Sequence, residues 1–417
     1  MFERIVSAIG LLAFVAVAWA LSANRRAVSW RPVAWGAALQ FAFAFLILKT
    51  DPGYEAFKAL GDLVTRFLDF SDAGARFVFG ERFAEFFFAF KVLPTIIFFS
   101  AFITVLYHYN VLQRVVRVIA WVMQRSMGTS GAETFSCAAN IFVGQTEAPL
   151  LVKPFVATLT PSELHAVMCG GFATISGGVM AAYMSFGVPA EHLIAASVMS
   201  APAALAIAKL MYPETGRPLT AGTVRLEVER PWANGIDAAA AGASDGMKLC
   251  LNVAAMLIAF LALLAVLNAL LGWAGGLFGF PALSLEWVFA KVLAPLAWLM
   301  GVPWEDCGHV GVLLGKKTIL NEFIAYLDLK QLIENGRAVA SGAADPASVP
   351  VISERAQVIA TYALCGFSNV ASIGIQIGGI GAMAPSRQAD LARVGLRAMV
   401  AGSIACFMTA CIAGILL

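Results

Sequence analysis

Residues 131–155 read GAETFSCAANIFVGQTEAPLLVKPF, and residues 303–331 read PWEDCGHVGVLLGKKTILNEFIAYLDLKQ. Each stretch sets two short apolar arms around a polar centre. Both are too polar for an ordinary membrane span and too apolar for a solvated loop. Backbone that leaves regular helix at membrane depth persists only where protein or a water-filled cavity satisfies its N–H and C=O groups. The pattern therefore predicts two re-entrant hairpins in a chain that otherwise lies in lipid.

Composition agrees with lipid as the main solvent. Of 417 residues, 60% are hydrophobic and 13% charged, with mean hydropathy +0.81, against roughly 45–50% apolar and about 25% charged in soluble domains. The net charge of +2, with no run of like charges, gives no footing for a nucleic-acid partner. The seven cysteines, Cys137, Cys169, Cys250, Cys307, Cys365, Cys406 and Cys411, lie mostly in apolar stretches without a CxxC pair. They read as small packing residues rather than metal ligands or disulfides. Arg4, the apolar run after it and Ala18-Trp19-Ala20 resemble a signal peptide, but the spans that follow favour a retained first helix.

A helix needs ~20 apolar residues to cross the hydrocarbon, and eight stretches approach that length: 5–21, 33–48, 83–107, 164–186, 192–211, 247–272, 356–383 and 389–417. The predicted fold is an all-α polytopic membrane protein of eight transmembrane helices plus two re-entrant helical hairpins. Basic residues favour the cytoplasmic side. Arg25, Arg26 and Arg31; Arg114, Arg117 and Arg125; Lys209, Arg217, Arg225 and Arg230; and Arg387, Arg393 and Arg397 all fall inside if both termini are outside. The mixed-charge connection 49–82 alone dissents. The same topology brings the first hairpin in from inside and the second from outside. Residues 54–70, with Phe57, Leu60, Leu63, Phe67 and Leu68 at helical spacing, and 110–127, with Val111, Val115, Val118 and Val122, read as amphipathic helices, on the membrane surface or packed on protein. The phenylalanine-rich 83–99 reads as scaffold or oligomer contact, with Lys91 unassigned.

A glycine-rich, polar interruption follows each hairpin: Gly170-Gly171-Phe172-Ala173-Thr174-Ile175-Ser176-Gly177-Gly178 in one half, Gly366-Phe367-Ser368-Asn369-Val370-Ala371-Ser372-Ile373-Gly374 in the other. Setting Gly171-Phe172 on Gly366-Phe367 aligns Thr174 with Asn369 and leaves one hairpin carboxylate upstream in each half, Glu147 or Glu322. Ser162-Glu163 and Ser353-Glu354 read as helix starts. Hairpin, broken helix and plain helix thus occur twice in opposite orientation, the mark of inverted-repeat transporters whose sites lie at the midplane. The expected division is an N-terminal scaffold over 1–127, a first repeat over 128–215, a scaffold helix and connection over 216–275, and a second repeat over 276–417.

A carboxylate near the bilayer centre costs ~2.5–3.5 kcal/mol on insertion scales. Glu147 and Glu322 therefore need either a salt bridge, to Lys153 or Lys316, or a ligand or proton to hold. The Gln145 amide carries both donor and acceptor, which matches a neutral heterocycle, and a carboxylate such as Glu322 accepts two hydroxyls of a vicinal diol. Asn369 and Ser372 share a helix face three residues apart. Asn140, Thr174 and Ser176, with the carbonyls of Val143 and Ile175, supply neutral oxygens that suit a monovalent cation, or else they are helix caps. No nucleophile or ligand-spaced cluster joins His108, His165, His192 and His309, which argues against a membrane enzyme. Two dissimilar hairpins of opposite orientation argue for alternating access rather than a channel.

Gly144-Gln145-Thr146-Glu147-Ala148-Pro149, Asn321-Glu322-Phe323 and Gly366-Phe367-Ser368-Asn369-Val370-Ala371-Ser372 resemble the signature segments of the concentrative nucleoside transporters, bacterial type, over residue 83 to the C-terminus. That resemblance implies a homotrimer in a bacterial inner membrane that imports nucleosides on a sodium or proton gradient, with no organic cofactor. By matching position, it puts Gln145, Thr146, Glu147 and Val179 at the nucleobase, Phe367 near the substrate, and Glu322, Asn369 and Ser372 on the ribose hydroxyls. It also implies a sodium site at Asn140, Val143, Thr174 and Ile175, with sodium favoured over protons as the coupling ion.

Overall fold

A computed structural model describes residues 1–222 and 232–417, so Arg225 and Arg230 of the charge argument lie outside the described residues. Helices α1 (Phe2–Ala20) and α2 (Trp30–Lys49) are each about 28–30 Å long at ~1.5 Å per residue, enough to span. Thr50 caps α3 (Asp51–Leu68), accepting from the Gly53 amide at 3.1 Å, and α4 (Ser71–Phe79) follows. After tight and wide helical turns over residues 83–92 come α5 (Leu93–His108) and α6 (Val111–Met127). Lys91, unassigned from sequence, bridges Asp72 at 2.6 Å and Asp69 at 3.4 Å, pinning the phenylalanine-rich stretch to α4. On α6 the valine stripe Val111, Val115, Val118 and Val122 faces outward, while Leu112, Val116, Ala120 and Met127 are buried. On α3, Phe57 and Phe67 pack on the core while Leu60 and Leu63 stay exposed. Each amphipathic helix thus has apolar surface on protein and more on the outside.

The first hairpin descends through α7 (Gly131–Ala139), turns over 140–146 and returns as two single turns, α8 (Glu147–Leu150) and α9 (Lys153–Val156). The first broken helix is α10 (Pro161–Ala173) and α11 (Gly177–Ser185), followed by α12 (Ala190–Met211). The 43-residue α13 (Gly235–Leu277) leads through α14 (Leu285–Val292) and α15 (Ala294–Leu299) to the second hairpin, α16 (Cys307–Ile319) and α17 (Glu322–Ala340). The second broken helix is α18 (Glu354–Leu364) and α19 (Val370–Met383), and α20 (Gln388–Leu416) closes the bundle. Among the described residues, seven helical runs are long and apolar enough to span a membrane. The eighth expected span, 356–383, is present as α18 and α19 with a five-residue gap, so neither piece reaches that length alone.

The repeat is real in its caps, with a shift in register. Thr160, not Ser162, caps α10, and Glu163 returns to the Thr160 amide at 2.9 Å to complete a capping box. Ser353 caps α18 as expected, at 3.2 Å from the Ala356 amide. Both caps also bind a carboxylate: Thr160 donates to Glu214 at 2.7 Å, and Ser353 to Asp306 at 2.6 Å. Beyond the breaks, Ser176 caps α11 and Asn369 caps α19. The structural counterpart of Asn369 is therefore Ser176, two residues past Thr174.

Two faces follow from the contacts. On one, the Ala23 amide donates to the Met211 carbonyl, Arg31 to the carbonyls of Arg125 and Ser126, Arg387 to that of Leu159, and Lys209 pairs with Glu133 at 2.6 Å near the start of the first hairpin. On the other, Ser7 donates to the Met300 carbonyl, and Arg355 to those of Gly301 and Gly414, beside the Asp306–Ser353 pair at the start of the second hairpin. The hairpins enter from opposite faces, and basic residues from four connections gather on the first. The most apolar stretch of α12 is 89% buried, against 17% for α13 and 17% for the run ending in α5. The middle of the molecule is therefore the two repeats, with α5 and α13 at its flank. Gly242 and Gly246 let α13 lie directly on α5, since a methyl there would meet Ala101 and Ile97 backbone at 2.8 Å.

Candidate functional site

The hairpin tips and the two breaks meet at one cavity of about 920 Å³, walled on its far side by α5 and α13. Its lining includes Gln145, Thr146, Glu147, Val179, Glu322, Phe367, Asn369 and Ser372, the whole set of substrate candidates. Helix starts aim at this space: α8 begins at Glu147, α11 at Gly177, α17 at Glu322 and α19 at Val370. Their dipoles add to the charge of Lys153 and Lys248 in the lining, which also holds Asp245.

Glu322 is 4% exposed. Tyr183 donates to its Oε1 at 3.0 Å and Asn369 Nδ2 to its Oε2 at 3.0 Å. Hydrogen bonds to a charged group are worth about 1.5–3 kcal/mol each, and a helix N-terminus adds ~0.3–1 kcal/mol. Together these offset the cost of ~2.5–3.5 kcal/mol for a carboxylate at membrane depth. Each carboxylate oxygen keeps a second lone pair, so the group can still accept two hydroxyls. The salt-bridge alternative does not hold: Lys316 pairs with Asp328 at 2.7 Å and Glu286 at 3.4 Å. Among the described residues no ion pair joins Lys153 to Glu147, although both line the cavity. Glu147 instead folds back over Gly144, where a methyl group would lie 2.2 Å from its Oε2.

Gln145 Nε2 donates to Ser372 Oγ at 3.2 Å, and the Ser372 amide donates to Asn369 Oδ1 at 2.9 Å. A continuous hydrogen-bonded chain therefore runs from the first hairpin through α19 to Glu322 on the second and on to Tyr183 in α11. Val179, 3% exposed, and Phe367, half-buried, complete the apolar part of the wall.

Of the cation candidates, Val143 reaches the cavity lining, while Asn140, Thr174 and Ile175 lie behind it. Asn140 is fully buried; its Nδ2 donates to the Ser136 carbonyl at 3.1 Å, and its Oδ1 has no hydrogen-bond partner. Thr174 Oγ1 donates to the Gly170 carbonyl at 2.8 Å, which leaves its lone pairs available. Asn140 and Thr174 flank the same glycine, since a methyl on Gly170 would meet Asn140 Nδ2 at 3.2 Å. The Thr174 carbonyl is taken by the Phe367 amide at 3.1 Å, a direct bond between the two breaks. A buried, unpartnered amide oxygen beside a hydroxyl fits a small monovalent cation.

Three family models cover nearly all of the chain: Na+ dependent nucleoside transporter N-terminus over residues 9–82, Nucleoside recognition (a gate) over 89–190, and Na+ dependent nucleoside transporter C-terminus over 192–414. CNTnw, solved in an inward-facing substrate-bound state, is 40% identical and superposes with a TM-score of 0.91 over 99% of this chain and 98% of that one. This chain belongs to the Na+ dependent nucleoside transporter family. An outward-facing variant of CNTnw matches equally well, with a TM-score of 0.91. Human solute carrier family 28 member 3 is 48% identical over 99% of this chain, and human sodium/nucleoside cotransporter 1 is 47% identical over 99%. The chain spans 60% and 64% of the length of those two relatives.

Two residues of this Na+ dependent nucleoside transporter family member were missed from sequence. Tyr183 lies in α11, the apolar second piece of the first broken helix, where a tyrosine reads as packing. Gln376, fully buried, donates through Nε2 to Gln145 Oε1 at 3.0 Å and to the Met168 carbonyl at 3.2 Å. Its signal was available: it is a lone amide among Ile373, Ile375 and Ile377, and a polar side chain in such a run requires a partner.

Proposed function

We propose that this chain is a secondary active symporter that imports nucleosides, uridine and other pyrimidine nucleosides first and purine nucleosides besides, coupled to a sodium gradient by alternating access. The observation that carries the reading is the hydrogen-bonded chain from Gln145 to Glu322. It presents an amide at one end and a carboxylate with free lone pairs at the other, matched to a ligand with a heterocycle and a diol. Gln145, Thr146, Glu147 and Val179 face the base, Phe367 packs beside it, and Glu322, Asn369 and Ser372 hold the ribose. Sodium binds between Asn140, Val143, Thr174 and Ile175, and the unpartnered Asn140 Oδ1 supports that assignment.

The moving body comprises residues 128–215 and 276–417, with 1–127 and 216–275 as scaffold. The exposed apolar length of α13 supports assembly with further copies into a homotrimer. The gathering of basic residues on one face supports a bacterial inner membrane with both termini outside. The test is initial uptake of radiolabelled uridine into proteoliposomes under an imposed sodium gradient at constant pH. Saturable accumulation that needs sodium is expected. Full accumulation on a pH gradient alone, unaffected by Asn140→Ala and Thr174→Ala, would overturn the sodium assignment.

A further inference from the structure

Gln145 lines the cavity, but its amide orientation is decided from behind. Gln376 is fully buried and does not line the cavity. The Met168 carbonyl is an acceptor only, so the Gln376 side chain turned toward it at 3.2 Å must present Nε2. That nitrogen has a second hydrogen, which reaches Gln145 Oε1 at 3.0 Å. With its oxygen drawn back to Gln376, Gln145 turns Nε2 toward Ser372 Oγ at 3.2 Å, and Ser372 does line the cavity. Space for this relay comes from Gly171, where a methyl would lie 2.8 Å from both Gln376 Nε2 and Gln145 Cβ. Three elements from both repeats, α10, α19 and the first hairpin, converge on one amide.

We propose that Gln376 is a specificity-determining positioning residue: it fixes Gln145 with its amide nitrogen toward the ligand, so the site selects nucleobases that present a carbonyl there over those that present an amino group. The inference rests on the reading of Gln145 as facing the base. Its consequence is a rule that cuts across ring size. Uridine and inosine carry a carbonyl where cytidine and adenosine carry an amino group, so each pair differs in hydrogen-bond direction at the exocyclic group and, in the opposite sense, at the adjoining ring nitrogen.

A glutamate at 376 has no hydrogen to give when ionised and a single one when protonated, which the Met168 carbonyl takes; either way none is left for Gln145. In Gln376→Glu, Gln145 is driven to turn its nitrogen back toward the carboxylate and its oxygen toward the cavity. The experiment is competition of radiolabelled uridine uptake in proteoliposomes of the full chain by unlabelled uridine, cytidine, inosine and adenosine. We expect the wild type to favour the carbonyl member of each pair. Gln376→Glu should shift both ratios of inhibition constants toward the amino member by about tenfold, on the scale of one hydrogen bond made or refused at a buried site. The ratio of 2′-deoxyuridine to uridine, which reads the ribose contacts, should stay where it is. If Gln376→Glu fails to reach the membrane, Gln376→Met removes the relay without adding charge and should collapse both base ratios about threefold toward unity. Ratios within twofold of wild type in the variants, while Gln145→Ala moves them, overturn the role of Gln376 alone. A wild type that favours the amino members does so too. If Gln145→Ala leaves the base ratios unchanged, the base-facing reading of Gln145 falls, and this inference with it.

Discussion

The two hairpins occupy equivalent places in the repeat yet differ in how they turn. The second has two full helices and a two-residue tip, Leu320-Asn321, in which Asn321 caps α17 by accepting from the Ile324 amide at 3.0 Å. The first has one helix, a seven-residue turn and two single-turn fragments, with Pro149 and Pro154 interrupting the return arm. A short capped tip fixes a single carboxylate, Glu322. A long open tip carries neutral oxygens and amides beside Glu147, those of Val143 and Gln145 at the cavity and those of Asn140 buried behind it. Symmetry explains how the polar centre is reached from both faces, and the departure from symmetry supplies two chemistries.

The largest effect should come from the capped tip. Glu322→Gln replaces an acceptor-only group by an amide whose nitrogen cannot accept, and we expect uridine uptake in proteoliposomes to fall by about 100-fold, equivalent to ~2.8 kcal/mol. Unchanged uptake would remove the diol contact and with it the division of labour between the tips. Next is the open tip: Asn140→Ala should raise the sodium concentration for half-maximal uptake about tenfold while leaving uridine affinity at saturating sodium near normal. A loss of uridine affinity with normal sodium dependence would reverse the assignment. Tyr183→Phe removes one of the two side-chain donors to Glu322 and should weaken uridine about fivefold, within the range for a hydrogen bond to a charged group. No change there would show that Asn369 alone holds the carboxylate. Smallest are the caps. Thr160→Ala and Ser353→Ala should each cost ~1 kcal/mol, read as a lowered melting temperature with sodium-driven uptake retained at low temperature.

Much of this arrangement was legible in the sequence because lipid makes polar residues conspicuous. The hairpins, both breaks, Glu147, Glu322 and the cap at Ser353 were all marked by polarity or glycine where an apolar run was expected. Registers within the breaks were less legible. Matching Gly171-Phe172 to Gly366-Phe367 equates residues in different conformations, since Phe172 lies inside α10 while Phe367 lies in the non-helical gap between α18 and α19. Ser162-Glu163 marked the start of α10, but the cap itself is Thr160, which before Pro161 has the glutamate at the third helical position, where a capping box needs it. Tyr183 and Gln376 were lost for a different reason. Their partners are 139 and 231 residues away in the chain, and no local pattern encodes such a meeting.

The bond between the Phe367 amide and the Thr174 carbonyl has a consequence for inheritance and assembly. A helix interrupted within the bilayer has backbone groups that its own turns cannot satisfy, at several kcal/mol apiece in hydrocarbon. Here an amide of the second interruption pairs with a carbonyl of the first, at a crossing close enough that a methyl on Gly366 would lie 2.6 Å from the Phe172 carbonyl oxygen. Neither half has a finished interior by itself. The two repeats are obligate companions: a gene split between Met211 and Gly235 should yield two fragments that are stable only when made together.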